Sequence, residues 1–109
     1  MGKFIISKTM SGEYRFRLKA TNGEIILVSE SYTSKSGCMN GIEAVKFNAQ
    51  KEERYERKSN ARGHFFYLKA SNGQIIGISE IYTTSAGREN GIISVKNNSI
   101  NASIEDLAS

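Results

Sequence analysis

Residues 14–20 alternate between apolar and basic side chains, a pattern typical of a β-strand with one covered face. The apolar side carries Tyr14, Phe16, Leu18 and Ala20, and the opposite side carries Arg15, Arg17 and Lys19. The following Asn22-Gly23 predicts a type I′ hairpin turn, because both residue types tolerate a positive φ. Apolar runs in Lys3–Lys8 and Glu24–Glu30 predict the neighbouring strands, so we expect a three-stranded antiparallel meander.

From Thr33 to about Ala49 the apolar period changes to that of a helix. A single apolar stripe contains Cys38, Gly41, Ile42, Val45 and Ala49. Either Thr33 or Ser34 is the expected N-cap, because a hydroxyl at that position accepts a free amide of the first turn. Asn40-Gly41 resembles a turn, but a break there would destroy the stripe, so we predict a continuous helix.

The chain then repeats this plan with a period of fifty residues. Residues 14–50 and 64–100 share 19 identities in 37 positions without a gap. The predicted elements of the second copy are strands at about Arg54–Lys58, His64–Ala70 and Gln74–Glu80, a turn through Ser59–Gly63, a helix from about Thr84 to Asn98, and a closing strand at Ser103–Leu107. One such repeat is too small to bury much apolar surface, so we expect residues 1–53 and 54–109 to share one core in a single domain of 109 residues.

Composition narrows the function classes only slightly. The formal net charge of +4 favours anionic partners weakly. The single Cys38 cannot form an internal disulfide, and no apolar stretch approaches the ~20 residues that span a bilayer. We therefore expect a cytoplasmic protein with no membrane contact.

Candidate catalytic chemistry is sparse. His64 is the only histidine, and it lies on the apolar side of its strand, where a structural histidine is expected. Cys38 lies near a helix N-terminus, which lowers a thiol pKa, but it also belongs to the apolar stripe, which favours a small core residue. One histidine and one cysteine do not supply a metal ligand set, so we predict no catalytic residue, metal or cofactor.

The outward face of the two middle strands is the first candidate binding site. Its members are Arg15, Arg17 and Lys19 from copy one and Phe65, Tyr67 and Lys69 from copy two. Interleaved cations and aromatic rings on an open sheet suit single-stranded nucleic acid, whose phosphates need cations and whose bases stack on rings. The same face is equally suited to a protein partner or to self-association.

A repeated corner between strand and helix is the second candidate. Ser-Glu-x-Tyr-Thr places Glu30 and Tyr32 in copy one, and Glu80 and Tyr82 in copy two. These residues would form two equivalent pockets related by pseudo-twofold symmetry. In the alternative, structural interpretation the glutamates pair with lysines or cap the helix, and the tyrosine hydroxyls bond to backbone carbonyls. The helical Asn-Gly pairs are ascribed mainly to close packing of the glycine.

The repeated motifs Leu-Lys-Ala-x-Asn-Gly, Ser-Glu-x-Tyr-Thr and Gly-x-x-Asn-Gly-Ile-x-x-Val-Lys-x-Asn resemble those of the YegP-like family of small bacterial proteins. The resemblance covers nearly the whole chain in both copies. It implies tandem β(3)-α-β units that merge into one sheet with their C-terminal strands exchanged. It supplies no catalytic residues.

Together these observations predict an α+β fold in which two repeats share one antiparallel sheet with both helices on one face. We expect a monomer that forms an internal pseudo-dimer. The leading interpretation of function is a non-enzymatic small binding or protein-interaction module, with an unidentified protein partner or self-association. The alternative is single-stranded nucleic-acid binding through the basic–aromatic sheet face, and an enzyme of unknown reaction comes third.

Overall fold

The computed structural model describes residues 2–108 and contains seven strands and two α-helices. Their bounds are β1 Lys3–Lys8, β2 Tyr14–Lys19, β3 Ile25–Val28, α1 Lys35–Asn48, β4 Tyr55–Asn60, β5 Gly63–Lys69, β6 Ile75–Ile78, α2 Ser85–Ser99 and β7 Ser103–Asp106. One turn of 3₁₀ helix, Glu52–Arg54, precedes β4. Each predicted strand and helix is present, with ends that differ by a few residues.

All seven strands form one sheet in the order β4-β5-β6-β3-β2-β1-β7. The two repeats meet in the middle, where Val28 of β3 pairs with Ile78 of β6, its counterpart fifty residues later. The α+β class and the shared sheet are therefore confirmed. Every strand pair is antiparallel except β1 with β7, which is parallel, so the sheet is mixed at one edge.

The segments that follow the two helices pair differently. After α1, a single segment closes repeat one and also begins repeat two, and it pairs antiparallel with β5 as the first strand of repeat two. After α2, the corresponding segment β7 pairs parallel with β1 of repeat one instead. The predicted exchange of C-terminal strands is present. Because β4 serves as the closing strand of repeat one and the first strand of repeat two, the sheet has seven strands rather than eight.

Both helices pack on the same face of the sheet and close one core. The core rings Phe4, Phe16 and Phe66 are fully buried, in agreement with the predicted alternation. The whole predicted stripe of α1 is also buried. Helix α1 begins after Ser34, whose Oγ accepts the amide of Gly37 at 3.0 Å, so the helix prediction is confirmed with Ser34 as the cap.

The predicted type I′ turn at Asn22-Gly23 is wrong, although the hairpin is present. Among residues 2–108 only glycines have positive φ, so Asn22 does not take the conformation that type I′ requires. Instead the Gly23 amide donates to the Ala20 carbonyl at 2.9 Å, and Gly23 follows with φ +90°. This is a type I turn followed by a glycine bulge. The register shift between Leu18 and Lys19 is a second, separate irregularity, which leaves Ile26 of β3 without a partner on β2.

The predicted turn through Ser59–Gly63 is confirmed, but it is shorter than predicted. Pairing continues to Asn60 and Gly63, which leaves only residues 61–62 in the loop. The side-chain oxygen of Asn60 accepts the Arg62 amide at 2.8 Å, so the polar side chain closes the loop locally. Within the described residues, neither helix has the length and hydropathy that a membrane crossing requires.

Candidate functional site

The sheet face that no helix covers forms a continuous surface across both repeats. The register places one row of side chains along it from edge to edge: Glu105, Ile5, Arg17, Val28, Ile78, Tyr67 and Glu56. The predicted face residues flank this row on β2 and β5. The structure thus brings both halves of the first candidate site onto one surface, which we call the open face.

The open face is predominantly basic. Its paired strands carry six cations and two acids, namely Lys3, Arg15, Arg17, Lys19, Lys58, Lys69, Glu56 and Glu105. The exposed Glu30 and Glu80 follow the outward-facing Val28 and Ile78 by two residues, so strand alternation places both acids beside this face. Cations still outnumber acids on this side of the sheet.

The cations differ in how far they are already neutralised. Glu56 contacts Lys69 at 2.5 Å and Lys58 at 3.4 Å, and Lys3 contacts the other face carboxylate, Glu105, at 3.3 Å. These contacts hold the pKa of Glu56 below its ordinary value, chiefly through the hydrogen bond from Lys69. By contrast, the three cations of β2 make no ion pair with any residue between 2 and 108.

The aromatic half of the face is a compact pair on β5. The ring centroids of Phe65 and Tyr67 lie 5.7 Å apart at an interplanar angle of 69°, and both residues are partly exposed. The Lys58 ammonium lies 5.9 Å from the Tyr67 centroid. Between this pair and the basic strand β2 lie β6 and β3, a span of roughly 14 Å at about 4.8 Å per strand.

The repeated corner does not assemble as a cluster. Ser29 Oγ accepts the Phe16 amide at 2.9 Å and donates to the Glu30 carbonyl at 2.8 Å, so this serine ties the corner to β2. Ser79 makes the same two contacts with Phe66 and Glu80. The carboxylates of Glu30 and Glu80 are exposed and make no ion pair within the described chain.

The tyrosines of the corner turn towards the helices. A Cβ at Gly41 would lie 2.7 Å from Tyr32 Cζ, and one at Gly91 would lie 2.6 Å from Tyr82 Cζ, so each ring occupies the space that a helical glycine leaves. Neither tyrosine hydroxyl bonds to a carbonyl between residues 2 and 108. The expected pairs of these glutamates with lysines and the expected bonds of the tyrosine hydroxyls to carbonyls are therefore wrong. The predicted close packing at the helical glycines is confirmed.

The two residues considered for nucleophilic catalysis lie in structural positions. Cys38 is fully buried, and burial raises the pKa of its thiol, which disfavours the reactive thiolate. The His64 amide donates to the Tyr82 carbonyl at 2.8 Å. His64 Nδ1 is buried without a partner in the described chain, so its ring is not oriented by a carboxylate.

Sequence reasoning missed a pocket of about 310 Å³ on the helix-covered side. Its walls come from both repeats: Ala20, Asn22, Glu24 and Ile26 of the β2–β3 hairpin, and Tyr82, Gly87, Asn90, Gly91 and Ser94 of the other repeat. The only sequence signal was the repeated Asn-Gly within each helix. That pattern could not indicate which hairpin the asparagine faces, because the two walls are about seventy residues apart in the chain.

Two sequence relatives match more than half of this chain. A UPF0339 protein of Stutzerimonas stutzeri, described as lying in the ptx operon 5′ region, is 55% identical over 64 residues, 59% of this chain and 58% of that protein. The UPF0339 protein YegP of Escherichia coli K12 is 49% identical over 65 residues, 60% of this chain and 59% of YegP. Each alignment thus spans less than two thirds of the relative's own length.

Solved structures match over nearly the full length. The solution NMR structure of a UPF0339 protein from Shewanella oneidensis has a TM-score of 0.93 at 47% identity, over 98% of this chain and 92% of that one. The solution NMR structure of E. coli YegP, titled a protein of unknown function, has a TM-score of 0.93 at 48% identity, over 99% of this chain and 94% of that one. The resemblance to YegP-like proteins is therefore confirmed. A family model described as "Domain of unknown function (DUF1508)" matches residues 10–56 and again 59–106, and the chain belongs to this family.

Proposed function

We propose that this protein is a non-enzymatic binding module that holds an anionic partner on the open face. One observation carries the proposal: the paired strands of this face hold six cations against two acids, and the three cations of β2 make no ion pair within residues 2–108. A single charged side attracts and orients an oppositely charged partner, whereas scattered charges of the same total do not. The buried positions of Cys38 and the unoriented ring of His64 support a role without catalysis.

Among anionic partners, single-stranded nucleic acid fits the open face best. The side chains of β2 offer three unpaired cations, which alternate along the strand at roughly 6.6 Å intervals. The Phe65–Tyr67 pair supplies exposed rings on which bases can stack. A folded acidic protein would need its carboxylates placed to match β2, but a flexible polyanion adapts its phosphates to the cations.

The distance between the two halves sets the course of the ligand. Because roughly 14 Å separate β5 from β2, one nucleotide does not reach both the rings and the arginines. A strand of several nucleotides would stack on β5, cross the aliphatic surface of Ile78 and Val28, and place its phosphates on β2. A second copy of this chain fits less well, since two predominantly basic faces repel each other.

The test is a fluorescence anisotropy titration of labelled 12-nucleotide single-stranded RNA and DNA at about 50 mM and about 200 mM salt. The basic-strand variant is Arg15→Gln/Arg17→Gln. Its matched control is Lys51→Gln/Arg62→Gln, which removes the same charge from outside the open face. An aromatic variant, Tyr67→Leu, removes the ring while an apolar side chain remains.

We expect saturable binding that weakens with salt. The basic-strand variant should flatten the slope of log K against log salt by about 1.4, since each phosphate contact on a single strand contributes about 0.7. Tyr67→Leu should weaken binding roughly 5- to 150-fold with an unchanged slope, the equivalent of about 1–3 kcal/mol for one stacked base. Equal losses in the control and the basic-strand variant would overturn the placement on the open face. No binding by the unmodified protein at low salt would eliminate nucleic acid and leave an acidic protein as the partner to test.

A further inference from the structure

The pocket between the β2–β3 hairpin and α2 has rigid, cross-repeat walls. Asn98 of α2 accepts both the amide and the hydroxyl of Thr21, at 3.2 and 3.1 Å. Its amide nitrogen donates to the Ser94 carbonyl at 2.9 Å. One side chain therefore fixes the hairpin of repeat one against the helix of repeat two and holds the pocket open.

Three polar groups converge on this space without a structural partner. The hydroxyl of Tyr82 and the amide of Asn90 make no hydrogen bond with residues 2–108. Glu24 makes no ion pair in the same range, and its only side-chain bond is one from Asn22 Nδ2 to Oε1 at 3.1 Å. The second carboxylate oxygen of Glu24 is left for a ligand.

The charge and the acceptors of the lining define the ligand. Glu24 is the only charged residue among the nine lining residues, so the pocket is anionic on a protein whose net charge is +4. The Glu24 carboxylate, the Asn90 carbonyl oxygen and the Tyr82 hydroxyl oxygen offer three acceptors, and an ammonium group has three donors and no acceptor. The Tyr82 ring adds a face for a cation, and Ala20 and Ile26 add apolar wall for a short carbon chain.

We propose that this pocket binds a small primary alkylammonium compound, with its charge on Glu24 and its carbon chain along Ala20, Ile26 and the Tyr82 ring. The site lies on the opposite side of the sheet from the open face, and it is independent of nucleic-acid binding. The Glu80 and Glu24 carboxylates add to burial in raising the pKa of Tyr82, so its phenol remains protonated near neutral pH and the surroundings are negative.

The internal repeat supplies a matched comparison. The equivalent positions of the other repeat hold Tyr32, Asn40 and Gly41, but Gln74 takes the place of Glu24. Glu24→Gln therefore gives the pocket the lining of its counterpart at every position except Ser94, where the other repeat has Ala44, and the same fold already accommodates this glutamine. Gln74→Glu adds the same charge at the counterpart position and serves as the control.

The test is a titration of the ¹⁵N-labelled full chain with 1,4-diaminobutane, followed by ¹H–¹⁵N correlation spectra. The uncharged 1,4-butanediol and the anionic succinate are the comparison probes. We expect saturable shifts of the amides of Glu24, Gly87 and Gly91 with the diamine, at least tenfold weaker binding of the diol, and none of succinate. Glu24→Gln and Asn90→Ala should each weaken diamine binding at least fivefold, while Gln74→Glu leaves these shifts unchanged.

Two results would overturn the proposal. The first is that Glu24→Gln binds the diamine as tightly as the unmodified protein does, while its amide signals away from the pocket match those of the unmodified protein. The second is a set of shifts spread over exposed acids such as Glu43 and Glu53, which would indicate general charge attraction. If Glu24→Gln disturbs the hairpin, Asn90→Ala still tests the proposal, because Asn90 is exposed and its side chain makes no hydrogen bond with residues 2–108.

Discussion

Replacement of Gly41 by alanine should destabilise the protein, although the same change inside a helix ordinarily stabilises. Gly41 lies in the middle of α1, where alanine is favoured over glycine by about 0.8–1.0 kcal/mol. Here the added Cβ would lie 2.7 Å from Tyr32 Cζ and 3.1 Å from Phe16 Cε2. Phe16 is fully buried, so it cannot retreat, and Tyr32 can make room only by giving up its contact with the helix.

The expected magnitude comes from two opposing terms. Overpacking a core typically costs about 1–3 kcal/mol, against which the helix preference returns about 1 kcal/mol. We therefore expect Gly41→Ala to lower the free energy of unfolding by up to about 2 kcal/mol. In a domain of this size, 1 kcal/mol corresponds to a fall in Tm of about 4–8 °C.

Urea unfolding followed by circular dichroism measures the change. The control is Gly37→Ala in the same helix, where the nearest atoms to the new Cβ are Ser34 Oγ at 3.2 Å and Tyr32 Cδ1 at 3.6 Å. It should be neutral or stabilising by up to about 1 kcal/mol. In a Tyr32→Ala background, Gly41→Ala should cost less, because the nearest ring is gone and only the contact with Phe16 at 3.1 Å remains. Gly41→Ala that stabilises the protein as much as Gly37→Ala would refute the packing argument.

Two further predictions concern contacts within a single repeat. Ser29→Ala should lower the free energy of unfolding by about 1–3 kcal/mol, because it leaves the Phe16 amide without an acceptor, and Ser79→Ala should do the same in the other repeat. Urea midpoints measure both, with the exposed Ser31→Ala as control, and a loss no larger than that of the control would contradict the role of the serine. The Arg57 guanidinium, 2.8 Å from Glu89, holds the pKa of that carboxyl below its ordinary value. The ion pair therefore stabilises the folded state above the ordinary pKa of glutamate, and this stabilisation is lost as the pH falls. Arg57→Gln should lower the free energy of unfolding by at most about 1 kcal/mol near pH 7 and by less near pH 3. A cost that is constant with pH would argue against the ion pair.

The fold was largely predictable because the local and repeated signals agree. The alternation through Phe16 and Leu18 and the stripe through Ile42 and Val45 fix which side of each element is buried. The predictions that failed concern contacts between distant parts of the chain. The parallel pairing of β7 joins the last strand of repeat two to the first strand of repeat one, a contact between residues about a hundred positions apart that no local pattern encodes.

The candidate sites were predictable to different degrees for a physical reason. The open face is a property of strand alternation, so Arg15, Arg17, Phe65 and Tyr67 were assigned to one surface from sequence. The pocket depends on which hairpin meets which helix, a contact between Thr21 and Asn98 that no local pattern encodes.

Residues that are identical in the two repeats have a different task from residues at which the repeats differ. Shared residues build the fold: Ser29 and Ser79 tie the corners, and Tyr32 and Tyr82 fill the space beside Gly41 and Gly91. The open face is where the repeats diverge, since arginines of β2 occupy the positions that Phe65 and Tyr67 occupy on β5. Two identical repeats would give a face that is basic throughout or aromatic throughout. Because the repeats differ at these positions while the fold is the same, the basic strand β2 and the aromatic pair on β5 lie on one sheet, roughly 14 Å apart. The proposed ligand therefore requires both halves of the chain.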